Sequence, residues 1–209
     1  MPPSPIALVR AARAVRRSRR TPSPKAMFLN SFLRHPGAIG SVIPSSQALV
    51  GRMLAPIDWA KVGTFVEYGP GVGPFCQQVL DRLRPDASYV AIDADADFVR
   101  YLRATFRDPR LQIVHGSAAD VAAILNDHGL DTADYVLSGI PFSTLPAGVG
   151  EAIVQATHDI LAPGGAFMAY QMSIRVGQLL RPVFPRIETA MAWRNFPPAR
   201  LYWAWKDPA

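Results

Sequence analysis

Three observations predict an α/β fold, with a mostly parallel sheet and helices on both faces. Strand-like and helix-like stretches alternate from residue 64 to residue 181. The β-prone run Thr64-Phe65-Val66 leads into a glycine turn, and Phe75, Val79 and Leu83 then follow at helical spacing. Beyond residue 186 the style changes to two strand-like runs, Ile187 to Trp193 and Arg200 to Trp205, joined by Asn195-Phe196-Pro197-Pro198. Alternation implies parallel strands, because each parallel return needs a crossover helix. The last two runs predict an antiparallel pair that closes the sheet.

The elements follow in order. Residues 6–20 lack Gly and Pro and favour helix, with Leu8, Ala12 and Val15 on one face and Arg10, Arg13, Arg17 and Arg20 largely opposite. Such a stretch is either an interfacial membrane helix or a solvated basic tail. Thr21-Pro22-Ser23-Pro24 reads as a linker, and a short helix over 26–33 stops near His35-Pro36-Gly37. Gly40, Pro44 and three serines make 38–46 a loop, whose Ser45 or Ser46 caps a helix over Gln47 to Leu54. Strands are expected at 64–68, 88–93, 111–115, 133–138 and 165–171. Helices are expected at 73–84, 95–106, 118–126, 147–162 and 174–181. The implied organisation is a basic arm over 1–25, helices and a loop over 26–56, and the α/β domain over 57–209.

With 49% hydrophobic and 18% charged residues in 209, a sizeable core forms and wholesale disorder is excluded. The net charge of +6 is uneven. Residues 1–35 carry eight basic side chains, Arg16 and Arg19 among them, and no acid; the rest has 14 basic against 16 acidic. An arm of this kind seeks an anionic surface, nucleic acid or membrane. No run of about 18 apolar residues exists, so no spanning helix is expected. Cys76 is the single cysteine, which excludes an intramolecular disulfide and fits a reducing cytoplasm. The four histidines lack metal-ligand spacing, so no metal is expected.

Candidate site residues are those at the carboxyl ends of the strands, where open α/β sheets bind ligands. The first strand ends in Glu67-Tyr68-Gly69-Pro70-Gly71-Val72-Gly73. Gly69 and Gly71 fit a dinucleotide fingerprint, but Pro74 stands where the third glycine belongs, and the Gly-Lys-Ser/Thr of a phosphate loop is missing. The second strand ends in Asp93, 20 residues after Gly73, where a carboxylate accepts hydrogen bonds from both hydroxyls of a ribose. Asp95 and Asp97 read as a cap and a first-turn charge of the next helix, and Asp120 as either a cap or a ligand contact.

An acid, one residue and then G-x-G-x-G resembles the first motif of class I S-adenosylmethionine methyltransferases. The fold it implies is a Rossmann-like, mostly parallel sheet with a closing antiparallel strand. The resemblance implies that cofactor contacts come from Glu67, Tyr68, Gly69, Gly71, Gly73, Asp93, Ala94, Ser138 and Gly139. It lays the adenine against Gly116, Ser117 and Ala118, and brings the methyl acceptor to Ser138-Gly139-Ile140-Pro141-Phe142. Adenine-modifying relatives carry Asn or Asp where Gly139 stands, so the grip on a nucleobase is missing.

Taken together, the basic N-terminus, Gly40-Ser41-Val42-Ile43-Pro44-Ser45-Ser46, the glycine turn, Ser138-Gly139-Ile140-Pro141-Phe142 and Tyr170-Gln171-Met172-Ser173 resemble the bacterial phospholipid N-methyltransferases. That family methylates phosphatidylethanolamine stepwise to phosphatidylcholine. The resemblance implies a monomeric, cytoplasmic protein, peripheral on the inner face of the bacterial membrane. Arg10, Arg13, Arg16, Arg17 and Arg20 would bind anionic lipid, and Ser41, Pro44 and Ser45 would help cover the cofactor. Ile140, Pro141, Phe142 and Tyr170 would position the acceptor, and no nucleic acid is expected as partner. Glu67, Tyr68, Tyr170, His35 or water would take the proton of the attacking amine. Where the family shows an aromatic and Thr-Tyr after Gln171, this chain has Met172-Ser173-Ile174, which bears on headgroup preference. An ornithine lipid is an alternative acceptor, and ribosomal RNA adenine methylation and a non-enzymatic lipid or partner scaffold are the rival readings.

Overall fold

The computed structural model describes residues 47–193, 195 and 197–208. The readings of residues 1–46, including Ser41, Pro44, Ser45 and the arm arginines, lie outside them. The described chain opens with α1 (Gln47–Leu54), followed by β1 (Thr64–Tyr68), α2 (Cys76–Leu80), β2 (Ser88–Asp93), α3 (Ala96–Thr105) and β3 (Leu111–His115). Then come α4 (Val121–Asp127), β4 (Ala133–Ser138), α5 (Val149–Ile160), β5 (Leu161–Gln171), α6 (Arg175–Leu180), β6 (Arg186–Ala192) and β7 (Ala199–Trp205).

The seven strands form one sheet in the order β3-β2-β1-β4-β5-β7-β6. The pairs from β3 to β5 are parallel; β7 runs antiparallel between β5 and β6. β1 is buried at every position, as a strand covered on both faces must be. One face packs Phe65, Tyr89, Leu137 and Trp203 under α1 and α2. The other packs Val66, Val90, Val136 and Phe167 under α4, α5 and α6. The result is three layers, the Rossmann-like arrangement that the alternation predicts.

Two elements differ from expectation. The helix expected over 73–84 is hydrogen-bonded as helix only over Cys76–Leu80, with turns on either side. Left-handed Gly73 delays its start, and Pro85 follows its end. β5 begins at Leu161 rather than 165, because Leu161 pairs with Ala133 before an irregularity. Gly164, at φ +76°, lets the chain rejoin the ladder at Ala166. Asp95 caps α3 by accepting from the Asp97 amide at 2.7 Å, as the spacing predicts.

Candidate active site

The chain leaves β1 toward β2 and later returns on β1's other side as β4. This reversal opens a crevice beyond the strands' carboxyl ends. The ladder extends into the glycines lining it: Gly69 N donates to Ile92 O at 2.9 Å, Gly139 N to Tyr68 O at 2.8 Å and Gly116 N to Asp93 O at 3.0 Å. Gly69, Gly71 and Gly73 all have positive φ, which side chains rarely adopt. Their surroundings differ. A Cβ on Gly73 would lie 2.9 Å from Leu102 and Phe106, so this glycine serves helix packing. A Cβ on Gly71 would meet nothing within 4 Å, so the turn faces open space there.

Asp93 closes one side of that space. Its Oδ2 accepts from Gly71 N at 3.0 Å and its Oδ1 from Asp95 N at 2.9 Å, leaving lone pairs on both oxygens. Burial pushes its pKa up to about 6, against the opposing pull of those two amide donors. Beside it, Ala94 is exposed, and its carbonyl lies 3.1 Å from His115 Nε2. Ser117 turns its hydroxyl back to accept from Ala119 N at 3.2 Å, and Ala118 is packed into the core.

Glu67 sits beneath the turn at 1% exposure. Its carboxylate accepts from Tyr89 Oη, and Cys76 Sγ lies 3.9 Å away. Burial pushes its pKa up to about 7, opposed by the Tyr89 hydrogen bond, and burial likewise raises Cys76 and Tyr89. This carboxyl is a fixed underpinning of the turn rather than an exposed ligand.

The loop after β4 is held at three points. Ser138 Oγ accepts from Ile140 N at 3.3 Å, and Gln171 Nε2 donates to Ile140 O at 2.6 Å. A Cβ on Gly69 would lie 3.3 Å from the Ile140 side chain, so the two loops touch. A Cβ on Gly139 would lie 2.7 Å from Tyr170 Oη and 2.8 Å from Gly69 O. No Asn or Asp fits there without moving backbone. The Tyr170 ring, on β5, leans on Phe75 with centroids 5.2 Å apart.

The structure therefore brings Gly69, Gly71, Asp93, Gly139, Ile140 and Tyr170 to one crevice. It turns two expected side chains away. Tyr68 is fully buried on the α5 side, its hydroxyl 3.2 Å from Thr157 Oγ1, so only its backbone borders the crevice. Phe142 is 2% exposed and packs edge-on against Phe167. Sequence reasoning missed Gln171 as the clamp on Ile140 and Tyr89 as the partner of Glu67. Gln171 stood in a motif quoted only as a family marker; the Tyr89 pairing depends on β1–β2 register.

The methyltransferase-domain family matches residues 65–165. The ornithine lipid N-methyltransferase of Singulisphaera acidiphila is 32% identical over 178 residues, 84% of this chain and 93% of that protein. The chain belongs to the S-adenosylmethionine-dependent methyltransferases. Its fold is that of the precorrin-6y C5,15-methyltransferase of Geobacter metallireducens, at TM-score 0.61, 15% identity, 78% of this chain and 89% of that one. The N-methyltransferase NodS of Bradyrhizobium japonicum, solved with S-adenosyl-L-homocysteine, gives TM-score 0.58 at 12% identity over 75% of this chain and 83% of that one. As a methyltransferase, the protein takes S-adenosylmethionine as its cofactor, and the open glycine turn beside the Asp93 carboxylate fits it. Among the described residues no His, Cys, Asp and Glu group could hold a metal, and no helix is long and apolar enough to cross a membrane.

Proposed function

We propose that this methyltransferase transfers methyl groups to the amine of a lipid headgroup, with an ornithine lipid as the leading acceptor and phosphatidylethanolamine second. The observation that carries the reading is the similarity, over 84% of the chain, to an ornithine lipid N-methyltransferase. This order reverses the sequence-based preference for phosphatidylethanolamine, because the similarity favours the ornithine-lipid alternative. Crowding at Gly139 supports a lipid over a nucleobase, because the side chain that grips an exocyclic amine has no room.

The residues divide the work as follows. The Asp93 carboxylate accepts the ribose hydroxyls, and the Gly71 backbone passes close to the cofactor. Ala94, Gly116, Ser117 and the backbone at Ala118 border the adenine, and Glu67 with the Tyr68 backbone holds the turn in shape. S-adenosylmethionine supplies a methyl already activated on a sulfonium, so alignment of the amine provides much of the rate. The clamped Ile140-Pro141 segment and Tyr170 provide that alignment. Glu67 and Tyr68 are buried and paired away from the amine's proton, which leaves Tyr170, His35 or water to take it. Residues 1–20 hold the protein to anionic membrane, with Ser41, Pro44 and Ser45 over the cofactor.

The test is labelled S-adenosylmethionine with anionic vesicles carrying ornithine lipid, phosphatidylethanolamine or neither, and ribosomal RNA in parallel. Label is expected in the amine lipids, ornithine lipid foremost. No labelled lipid, with label in RNA, overturns the reading.

A further inference from the structure

Among the described residues, three large apolar side chains stand out in solvent: Met172 at 47% exposure, Ile174 at 55% and Trp193 at 73%. Trp193 is distant in sequence from Met172 and Ile174, but the sheet register brings all three to one end of the molecule. Met172 follows Gln171, which pairs with Arg200 of β7. Arg200 pairs in turn with Met191 of β6, and Trp193 lies just beyond that strand's end. Two strand spacings, about 10 Å, therefore separate the two groups. This is the end at which β1 and β4 deliver the glycine turn and the Gly139 loop. Gln171, next to Met172, is the residue that holds the Ile140 carbonyl.

The charges around these side chains are mostly basic. Arg200 is exposed, Arg52 reaches the Met191 carbonyl at 2.9 Å, and Arg175 pairs with Glu151 at 3.3 Å across two half-exposed side chains. A single acid is thus set against three guanidinium groups. Tryptophan prefers the level of lipid headgroups, where its ring is buried and its N–H stays wet, and each basic side chain near an anionic surface adds to the attraction.

We propose that Met172, Ile174 and Trp193, framed by Arg52, Arg175 and Arg200, dock the methyltransferase body on an anionic bilayer with the crevice facing the lipid. This contact is separate from the basic arm, and it rests on the lipid-acceptor reading above. It places the acceptor loop at headgroup depth, so the amine reaches the crevice without the lipid leaving the membrane.

The experiment uses the full chain, with the Trp193→Ser variant and the Met172→Ser/Ile174→Ser pair. Sedimentation is measured with phosphatidylglycerol vesicles, with and without ornithine lipid, alongside methylation of vesicle-borne and short-chain dispersed ornithine lipid. Vesicle affinity is expected to fall at least fivefold in each variant. Methylation of vesicle lipid should fall with it, while cofactor affinity stays within twofold of wild type in both variants and methylation of dispersed lipid stays within twofold in Trp193→Ser. Unchanged vesicle binding overturns the docking surface while leaving the lipid-acceptor reading intact. Wild-type protein that binds vesicles but methylates neither lipid overturns the acceptor reading alone. Variants that self-associate less, with vesicle binding intact, show instead that the patch joins two copies of this chain.

Discussion

Asp93 and Glu67 are two buried carboxyls on opposite sides of the glycine turn, and both resist ionisation. Binding of a ribose by Asp93 needs the carboxylate, whose pKa is about 6. Cofactor affinity is therefore expected to weaken as pH falls through about 6, and calorimetric titration of S-adenosyl-L-homocysteine across pH 5–8 checks this. Asp93→Asn should lower affinity about 10-fold to 100-fold, the scale of hydrogen bonds to a charged acceptor, and flatten the pH profile. Glu67 acts on stability. Its folded pKa of about 7 exceeds the ordinary 4.5, so the folded state keeps a proton that the unfolded chain releases. Its contribution is full below about pH 4.5 and is lost as pH rises through about 7. Without cofactor, Glu67→Gln should gain about 1–3 kcal/mol relative to wild type at pH 8 and little at pH 5, measured by urea unfolding. An equal effect at both pH values would show that Glu67 does not titrate in this range. At Tyr170, replacement by Phe keeps the ring on Phe75 and removes the hydroxyl. A fall of about 10-fold in kcat with cofactor KM unchanged is expected, and an unaltered kcat would remove Tyr170 from amine positioning.

At the scale of elements, the N-terminal helix of the described chain is fastened to the far side of the sheet. Trp203 Nε1, on β7, donates to the Met53 carbonyl of α1 at 3.0 Å in a buried setting. Trp203→Phe leaves that carbonyl without its partner and should cost about 1–3 kcal/mol in urea unfolding. A similar urgency of backbone satisfaction fixes the start of β1, where Asp134 Oδ2 accepts from Gly63 N and Thr64 N at 2.8 Å. The elements themselves were largely legible. β-Branched and aromatic residues mark the strands, Gly and Pro mark many of their ends, and the Asp95 cap stands out by type and position. Which way a side chain points was legible only where one face is polar. β1 is buried on both faces, so nothing in its pattern tells Tyr68, directed at Thr157, from Glu67, directed at Tyr89. The same lack of contrast hid the burial of Phe142. Contacts between distant strands, such as Gln171 on the Ile140 carbonyl, depend on register, which local pattern does not carry.

At the scale of the molecule, the charge is split between an arm and a body. The acid-free residues 1–35 precede a remainder of net charge −2, and the crevice-lining residues among the described ones all lie beyond 63. Deleting residues 1–20 is therefore expected to reduce sedimentation with anionic vesicles while leaving S-adenosyl-L-homocysteine affinity within twofold. Loss of both would make the arm part of the cofactor site. Cys76 adds a consequence of another kind. It is the chain's single thiol, it is wholly buried, and it lies between Gly73 and Glu67 under the floor of the crevice. A thiol reagent reaches it only when that floor lifts, so the labelling rate of the native protein is a clock for local opening. A cofactor that braces the glycine turn slows the clock, and its tick can be read without changing a single residue.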